Sequence, residues 1–153
     1  MAVLYLDTSA LVKLYVRELG SDRLVGLTLG AETHRFVVST LGRVEFSSSV
    51  RRREREGHLS RLSADELLDR LALHWGLVYT PQPITEVVLS HAASLLDRHP
   101  LRSLDAVQLA SCLVLQMPPR PVSPLFVSSD EQLLKAAETE GLRVWNPAKS
   151  DLK

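Results

Sequence analysis

The sequence has little of several residue types, and each shortage excludes a class of protein. Its single cysteine, Cys112, cannot form an internal disulfide or build a thiolate metal site. No apolar run approaches the roughly 18 residues that a membrane helix needs. The N-terminal residues lack the basic start of a signal peptide and reach a carboxylate at Asp7. We therefore expect a soluble protein of the reducing cytoplasm with no membrane partner.

The balance of charge and the small number of aromatic residues restrict how the chain could bind nucleic acid. Lys and Arg together number 18, as do Asp and Glu, so no overall positive field attracts a polyanion. Eight aromatic residues are few for a surface that stacks bases. Any polyanion must therefore be bound at a local site. The 153 residues and 45% hydrophobic content predict a single globular domain over 1–153.

Short apolar segments alternate with helical patterns along the chain. Strands are predicted at 3–6, 36–38, 125–127 and 142–145. Helices are predicted between Asp7 and Gly20, at 22–29, from the Ser39-Thr40 pair to Gly57, and at 64–75, 84–96, 103–117 and 131–140. Because helices are the usual connections between parallel strands, this alternation predicts an α/β fold with a parallel sheet covered on both faces.

Two aspartates directly follow predicted strands. Asp7 comes after the first strand and Asp130 follows the strand at 125–127, and each precedes a helix. Both should lie at the carboxyl ends of parallel strands, where open α/β sheets bind ligands. The alternative interpretation is that each aspartate only caps the helix that follows it.

Two further carboxylates occupy helical positions that the apolar pattern marks as inward-facing. Glu45 shares a predicted helix face with Leu41 and Val44. Asp105 lies in a helix that is apolar nearly all round. Its alternative interpretation is a first-turn acid behind a Ser103 cap.

Taken together, the four carboxylates predict a metal site. Buried carboxylates stay ionised only beside cations or a metal, and Arg102, three residues before Asp105, is the nearest candidate cation. An all-oxygen cluster suits Mg²⁺ or Mn²⁺. The five histidines show no zinc-ligand spacing.

The sequence resembles the PIN domain, and more narrowly the VapC-type ribonuclease toxins of toxin–antitoxin pairs. The resemblance covers nearly the whole chain. It depends on Asp7-Thr8-Ser9-Ala10-Leu11 with Lys13, Val44-Glu45, Leu104-Asp105-Ala106-Val107-Gln108-Leu109-Ala110 and Phe126-Val127-Ser128-Ser129-Asp130, in that order and spacing.

The resemblance implies a three-layer α/β/α PIN-like fold with a central parallel sheet. Asp7, Glu45, Asp105 and Asp130 would converge on one acidic pocket that holds Mg²⁺ or Mn²⁺, with Ser9 and Ser128 supporting it. As a hypothesis, Asp7 and Asp105 bind the metal directly, and Glu45 and Asp130 bind it directly or through water. Ser128 stands where the family often has Thr, and Glu131 is the alternative to Asp130.

The implied function is a metal-dependent endoribonuclease whose products carry a 5′-phosphate and a 3′-hydroxyl. The implied partners are an RNA substrate, a cognate antitoxin protein that lays an apolar and basic segment across the pocket, and a second copy of the chain in a homodimer. The alternative is a catalytically inactive PIN-like scaffold for protein interactions. Retention of all four acids favours the enzyme.

Basic residues near the predicted pocket are candidates for binding substrate phosphates. Lys13 and Arg17 follow Ser9 on the first helix. A second cluster lies on the helix of Glu45, comprising Arg43, Arg51, Arg52, Arg53 and Arg55. The alternative interpretation of this cluster is structural, because acidic residues alternate with it and cations favour helix C-termini.

Overall fold

The computed structural model describes residues 1–30 and 32–152. Five parallel strands form one sheet in the order β3-β2-β1-β4-β5. They are β1 (Val3–Leu6), β2 (Arg35–Ser39), β3 (Tyr79–Gln82), β4 (Pro124–Val127) and β5 (Arg143–Trp145). The helices in the described residues are α1 (Thr8–Lys13), α2 (Ser21–Leu29), α3 (Leu41–Arg55), α4 (Arg61–His74), α5 (Glu86–Arg98), α6 (Ser103–Leu113) and α7 (Glu131–Thr139), and a 3₁₀ turn at Val114–Gln116 follows α6.

Side-chain alternation along the strands creates two cores, one on each face of the sheet. In β1, Leu4 and Leu6 pack with α1 to α4, whereas Tyr5 packs on the other face with α5 to α7. The strands are therefore apolar on both sides, as parallel strands buried between helices must be. This arrangement confirms the predicted three-layer α/β/α fold with a central parallel sheet.

The strand order places a switch point beside β1. The chain proceeds from β1 to β2 and β3 in one direction, and then returns to place β4 and β5 on the opposite side of β1. Adjacent crossovers diverge at such a point and leave a crevice at the carboxyl ends of the strands, where α/β folds bind ligands. The crevice here lies at the ends of β1 and β4, directly before Asp7 and Ser128.

The structure departs from the sequence-based elements at three places. Strand β3 was not predicted, because Pro81 and its polar neighbours lack the apolar pattern of a strand. Proline is tolerated there because β3 lies at the edge of the sheet. The first helix ends at Lys13, well before Gly20. The helix predicted at 103–117 is α6 followed by the 3₁₀ turn. No helix in the described part of the chain is both long and apolar enough to cross a membrane.

Candidate active site

A cavity of about 820 Å³ opens at the carboxyl ends of β1 and β4. All four sequence-predicted acids, Asp7, Glu45, Asp105 and Asp130, line it. They come from four different parts of the fold, namely the end of β1, helix α3, helix α6 and the loop after β4. The fold therefore gathers carboxylates that lie more than 120 residues apart in sequence.

Asp7 is the most buried of these acids and is held by neutral donors. Its Oδ1 accepts hydrogen bonds from the Ser9 hydroxyl at 2.7 Å and the Ala10 amide at 2.9 Å, and its Oδ2 accepts one from the Ser128 hydroxyl at 2.6 Å. Burial raises the pKa of Asp7 to about 6, although these donors lower it, and the negative charge of Glu45 adds to the rise. This carboxylate is therefore ionised at neutral pH, yet it forms no ion pair with any residue that the structure describes.

The two serines join the end of β1 to the loop after β4. While donating to Asp7, the Ser128 hydroxyl accepts from the Asp130 amide at 3.0 Å, and the Ser9 hydroxyl accepts from the Ser129 amide at 2.9 Å. The hydroxyl oxygens of Ser9 and Ser128 lie 3.4 Å apart. Both sequence-predicted supporting residues thus contact Asp7 and fix its orientation.

Glu45 lies on α3 and is half-buried. Its Oε1 accepts from the Thr8 hydroxyl at 3.0 Å and from Gln108 Nε2 at 2.6 Å. The prediction that the face of Leu41, Val44 and Glu45 turns into the core is wrong. The side chains of α3 that enter the core are on another face, and Val44 is 69% exposed. The face of Glu45 borders the cavity instead.

Asp105 lies in the first turn of α6 and forms an ion pair with Arg102, at 3.2 Å from Nε to Oδ2. The predicted Ser103 cap is wrong, because Ser103 is already helical and Arg102 occupies the cap position without a side-chain bond. Leu104 is also half exposed, so this first turn is not surrounded by apolar residues. The Asp105 side chain is 22% exposed and Arg102 is 85% exposed, which makes the pair accessible to solvent.

Asp130 is the N-cap of α7, where its Oδ1 accepts from the amides of Gln132 and Leu133 at 2.9 and 3.0 Å. Asp7 likewise caps α1 through the Ala10 amide. Both aspartates therefore cap a helix and line the cavity at the same time. Glu131, the alternative to Asp130, does not line this cavity and instead contacts Asn146 and Lys149.

The basic residues divide into those that line the cavity and those that do not. Lys13 lines it, is buried, and pairs with Glu18 at 3.2 Å. Arg53 also lines the cavity and pairs with the same Glu18. Arg52 and Arg102 line it as well, and both are exposed. These four residues form a cationic rim around the acidic centre.

The remaining basic candidates do not line this cavity. Arg51 is paired with Glu54 at 2.8 Å and with Asp65 of α4 at 2.6 Å. Arg17 pairs with Asp22 at 3.4 Å, and Arg43 lies over the Trp75 ring. Arg55 is exposed near the end of α3, away from the lining residues.

Sequence reasoning gave no role in the site to three lining residues that contact its charged groups. Thr8 and Gln108 hold Glu45, and Glu18 holds Lys13 and Arg53. Gln108 carried a detectable signal, because it is a polar residue within an apolar helix and lies one turn after Asp105. Thr8 and Glu18 carried no comparable signal, since both occur in ordinary polar positions.

The donor set of the cavity suits a hard divalent cation. Asp7, Glu45 and Asp130 form no ion pair within the described residues, and the buried Ser129 hydroxyl in the cavity wall has no hydrogen-bond partner there. In this part of the chain no three His, Cys, Asp or Glu side chains are grouped closely enough to hold a metal ion. Mg²⁺ commonly uses only one or two carboxylates together with waters and phosphate oxygens, so these residues fit such an ion.

Comparisons with known proteins agree with this geometry. The model of the PIN domain family matches residues 4–139. Ribonuclease VapC35 of Mycobacterium tuberculosis is 32% identical over 150 residues, which cover 97% of this chain and 99% of the relative. The structure of FitAcB from Neisseria gonorrhoeae superposes with a TM-score of 0.69 at 16% identity, covering 96% of this chain and 99% of that one. A toxin–antitoxin complex from Klebsiella pneumoniae gives a TM-score of 0.62 at 13% identity, with 97% and 99% covered. The match to the family model over most of its length shows that this chain belongs to the PIN domain family.

Proposed function

We propose that the chain is a metal-dependent endoribonuclease that hydrolyses RNA phosphodiester bonds and serves as the toxin of a toxin–antitoxin pair. The observation that carries this proposal is the convergence of Asp7, Glu45, Asp105 and Asp130 on one cavity at the switch point of the sheet. A relative named as a ribonuclease and a neighbour described as a toxin–antitoxin complex support it.

Asp7 and Asp105 would hold Mg²⁺ or Mn²⁺ directly, and Glu45 and Asp130 directly or through water. When bound, such an ion supplies Lewis-acid chemistry, lowering the pKa of water and stabilising charge on a phosphate. The hydroxyls of Ser9 and Ser128 keep both oxygens of Asp7 fixed. A carboxylate that is already oriented need not reorganise when it meets a cation.

Three of the four residues of the cationic rim bind the phosphates that flank the scissile bond. We assign this role to Lys13, Arg52 and Arg102, which line the cavity. Arg102 is the most adaptable of these, because its exposed guanidinium can exchange Asp105 for a phosphate. Arg17, Arg51 and Arg55 do not line the cavity, so we omit all three from the substrate site.

The same site also fits the proposed protein partner. Val44 and Leu104 are exposed apolar residues that line the cavity beside its acids. An antitoxin segment with apolar and basic side chains would complement this mixture. We further propose a single PIN domain over 1–153, a homodimer and a cytoplasmic location.

A non-catalytic PIN-like scaffold is the second candidate. One observation favours it, namely that Asp105 is already neutralised by Arg102 while no three acids in the described residues form a metal-binding group. In that case the cavity would serve only to bind a basic partner.

Cleavage of a mixed structured RNA by the purified protein separates the two candidates. If the protein is the enzyme, we expect cleavage with Mn²⁺ or Mg²⁺ and none with EDTA. Asp105→Asn should lower the cleavage rate by at least about 100-fold. Asp69→Asn, which changes an exposed acid of α4, is the matched control and should cleave normally. Absence of both cleavage and metal binding would favour the scaffold.

A further inference from the structure

A buried amide connects the core of the sheet to Glu45. Gln108 is 3% exposed and projects from α6. Its Oε1 accepts a hydrogen bond from the Tyr5 hydroxyl at 2.7 Å, and its Nε2 donates to Glu45 Oε1 at 2.6 Å and to the Thr8 hydroxyl at 3.2 Å. The chain Tyr5–Gln108–Glu45 therefore runs from a buried phenol to the cavity wall.

The chemistry of its two ends fixes the direction of this amide. An ionised carboxylate can only accept hydrogen bonds, so the NH₂ group of Gln108 must face Glu45. Its carbonyl oxygen then faces Tyr5, which must donate. Tyr5 is completely buried, and its hydroxyl donates to that oxygen at 2.7 Å. Each hydrogen bond in the chain thus has one possible polarity.

The hydrogen bonds from Thr8 and Gln108 reach only one of the two carboxylate oxygens of Glu45. Oε1 receives hydrogen bonds from both Thr8 and Gln108, whereas Oε2 has no donor among the described residues. Glu45 is a long side chain beside the exposed Val44, so it would otherwise lose considerable rotamer freedom on binding a ligand. The two donors remove that freedom in advance and leave Oε2 available.

We propose that Gln108, oriented by Tyr5, is a positioning residue that fixes Glu45 through Oε1 and thereby leaves Oε2 free for a divalent cation or a water bound to it. This inference rests on the proposed function, since it assigns Glu45 a part in binding the cation. Gln108 itself contacts no substrate in this account and acts only through Glu45.

The test measures Mn²⁺ affinity by calorimetry in the absence of RNA. Gln108→Met removes the amide at similar side-chain volume and should weaken Mn²⁺ binding about 10-fold, which is typical when a group supporting a metal ligand is lost. Tyr5→Phe keeps the amide but removes its orienting donor, and should weaken binding by a smaller factor. Cys112→Ala, which disturbs the buried side of the same helix away from the cavity, should leave the affinity unchanged.

The double variant separates positioning from general stability. Gln108→Met strands the buried Tyr5 hydroxyl without a partner and lowers the melting temperature. Adding Tyr5→Phe removes that stranded hydroxyl, so the melting temperature should recover while Mn²⁺ binding stays about 10-fold weak. Recovery of both properties together would overturn the positioning role, because stability alone would then explain the loss.

Other results also decide the matter. Equal Mn²⁺ affinity in the wild type and in Gln108→Met would overturn this inference and leave the proposed function standing. If Gln108→Met does not fold, Tyr5→Phe alone decides, and unchanged affinity in that variant would overturn the role of Tyr5. A wild-type protein that binds no Mn²⁺ would overturn the proposed function, and this inference with it.

Discussion

The buried charge of Asp7 destabilises the fold, although the same charge would help to bind a divalent cation. It is only 5% exposed, and its carboxylate accepts hydrogen bonds from two hydroxyls and one amide but pairs with no cation in residues 1–30 and 32–152. Its pKa of about 6 lies above the ordinary value of 3.8, so ionisation of Asp7 begins to oppose folding as the pH rises through 3.8 and opposes it fully above about 6. A bound divalent cation would compensate the charge of Asp7 and so remove this unfavourable contribution to the free energy of folding.

We therefore predict that Asp7→Asn is more stable than the wild type in EDTA at pH 7.5. The neutral amide avoids the desolvated charge, and the expected gain in unfolding free energy is about 1–2 kcal/mol after the weaker hydrogen bonds are allowed for. Added Mg²⁺ should raise the melting temperature of the wild type and leave that of Asp7→Asn unchanged. Urea unfolding with Asp69→Asn as control measures this, and a variant less stable than the wild type would refute it.

Residue chemistry was the part of the site most accessible from sequence. Asp7 and Asp130 each follow an apolar strand, a local pattern that needs no knowledge of the fold. The error at Glu45 has a physical cause: exposed Val44 lies beside a cleft, and helical periodicity cannot distinguish a face that borders a cleft from one that enters the core. The contact between Gln108 and Glu45 depends on how α6 packs against β1 and α3, which a local pattern does not indicate.

At the scale of elements, the turn after α1 depends on a glycine in close contact with the C-terminal segment. Gly20 has a φ of +91°, and a Cβ there would lie 2.5 Å from the backbone of Pro147 and 2.6 Å from that of Ala148. The same segment is tied to α2 by Arg23, which donates to the Pro147 carbonyl at 3.0 Å. Gly20 thus allows the last residues to pack beside the turn that carries Glu18.

Gly20→Ala should destabilise the protein by about 3 kcal/mol or more, because left-handed strain of about 1 kcal/mol is joined by a clash with backbone that cannot easily move. Gly57→Ala is the matched control. Gly57 has a φ of +79° but nothing within 4 Å of its Cβ position, so only the strain applies. Urea unfolding compares the two variants, and equal losses would contradict the claimed contact.

A second element-scale prediction concerns the ends of α5 and α7. Glu140 accepts both arms of Arg98, at 3.0 and 3.1 Å, and contacts His99. The Arg98 guanidinium lowers the pKa of Glu140, with His99 adding to the effect, so the pair stabilises the fold above the unfolded pKa of about 4.5. That stability is lost as the pH falls through the lower, folded pKa.

Glu140→Gln should therefore cost about 1 kcal/mol or less at pH 7, and the cost should shrink as the pH falls below 4.5. Urea unfolding of both proteins at several pH values measures the difference. A cost that grows on acidification would show that the assigned ion pair does not stabilise the fold.

Strands with apolar runs were predictable, and strands without them were not. β1, β2 and β4 are buried on both faces, so each needs consecutive apolar residues that mark it in the sequence. β3 lies at the sheet edge and contains Pro81, so nothing local marks it as a strand. The pairing of β1 with β4 joins residues about 120 positions apart, and periodicity carries no information on such pairing. The alternation of strands and helices therefore predicted a sheet covered on both faces, but not which strands are neighbours in it.

At the scale of the whole molecule, zero net charge predicts that the proposed RNA substrate is held by few phosphate contacts. With Lys13, Arg52 and Arg102 as the phosphate ligands, the logarithm of the binding constant should fall with the logarithm of salt concentration with a slope of about −2. Arg52→Gln should weaken binding and reduce the slope by about 0.7 to 1. Its neighbour Arg51 is engaged by Glu54 and Asp65, so Arg51→Gln is the control and should leave the slope unchanged.

Fluorescence anisotropy of a labelled RNA, titrated at several salt concentrations with EDTA present to prevent cleavage, gives these slopes. Equal effects of the two arginine variants would contradict the assignment of the cationic rim. A slope near −7 would show that a broad surface, rather than the cavity, holds the RNA.

If the acidic cavity hydrolyses RNA with water and a divalent cation, the chemical ends of the RNA products will show it. Attack by water that displaces the 3′-oxygen leaves a 5′-phosphate and a 3′-hydroxyl, whereas attack by the RNA's own 2′-hydroxyl leaves a 2′,3′-cyclic phosphate. We expect the wild-type protein to form 5′-phosphate ends with Mn²⁺, and no such ends to form with EDTA or in Asp105→Asn. Cyclic phosphate ends, or cleavage that persists in EDTA, would contradict it.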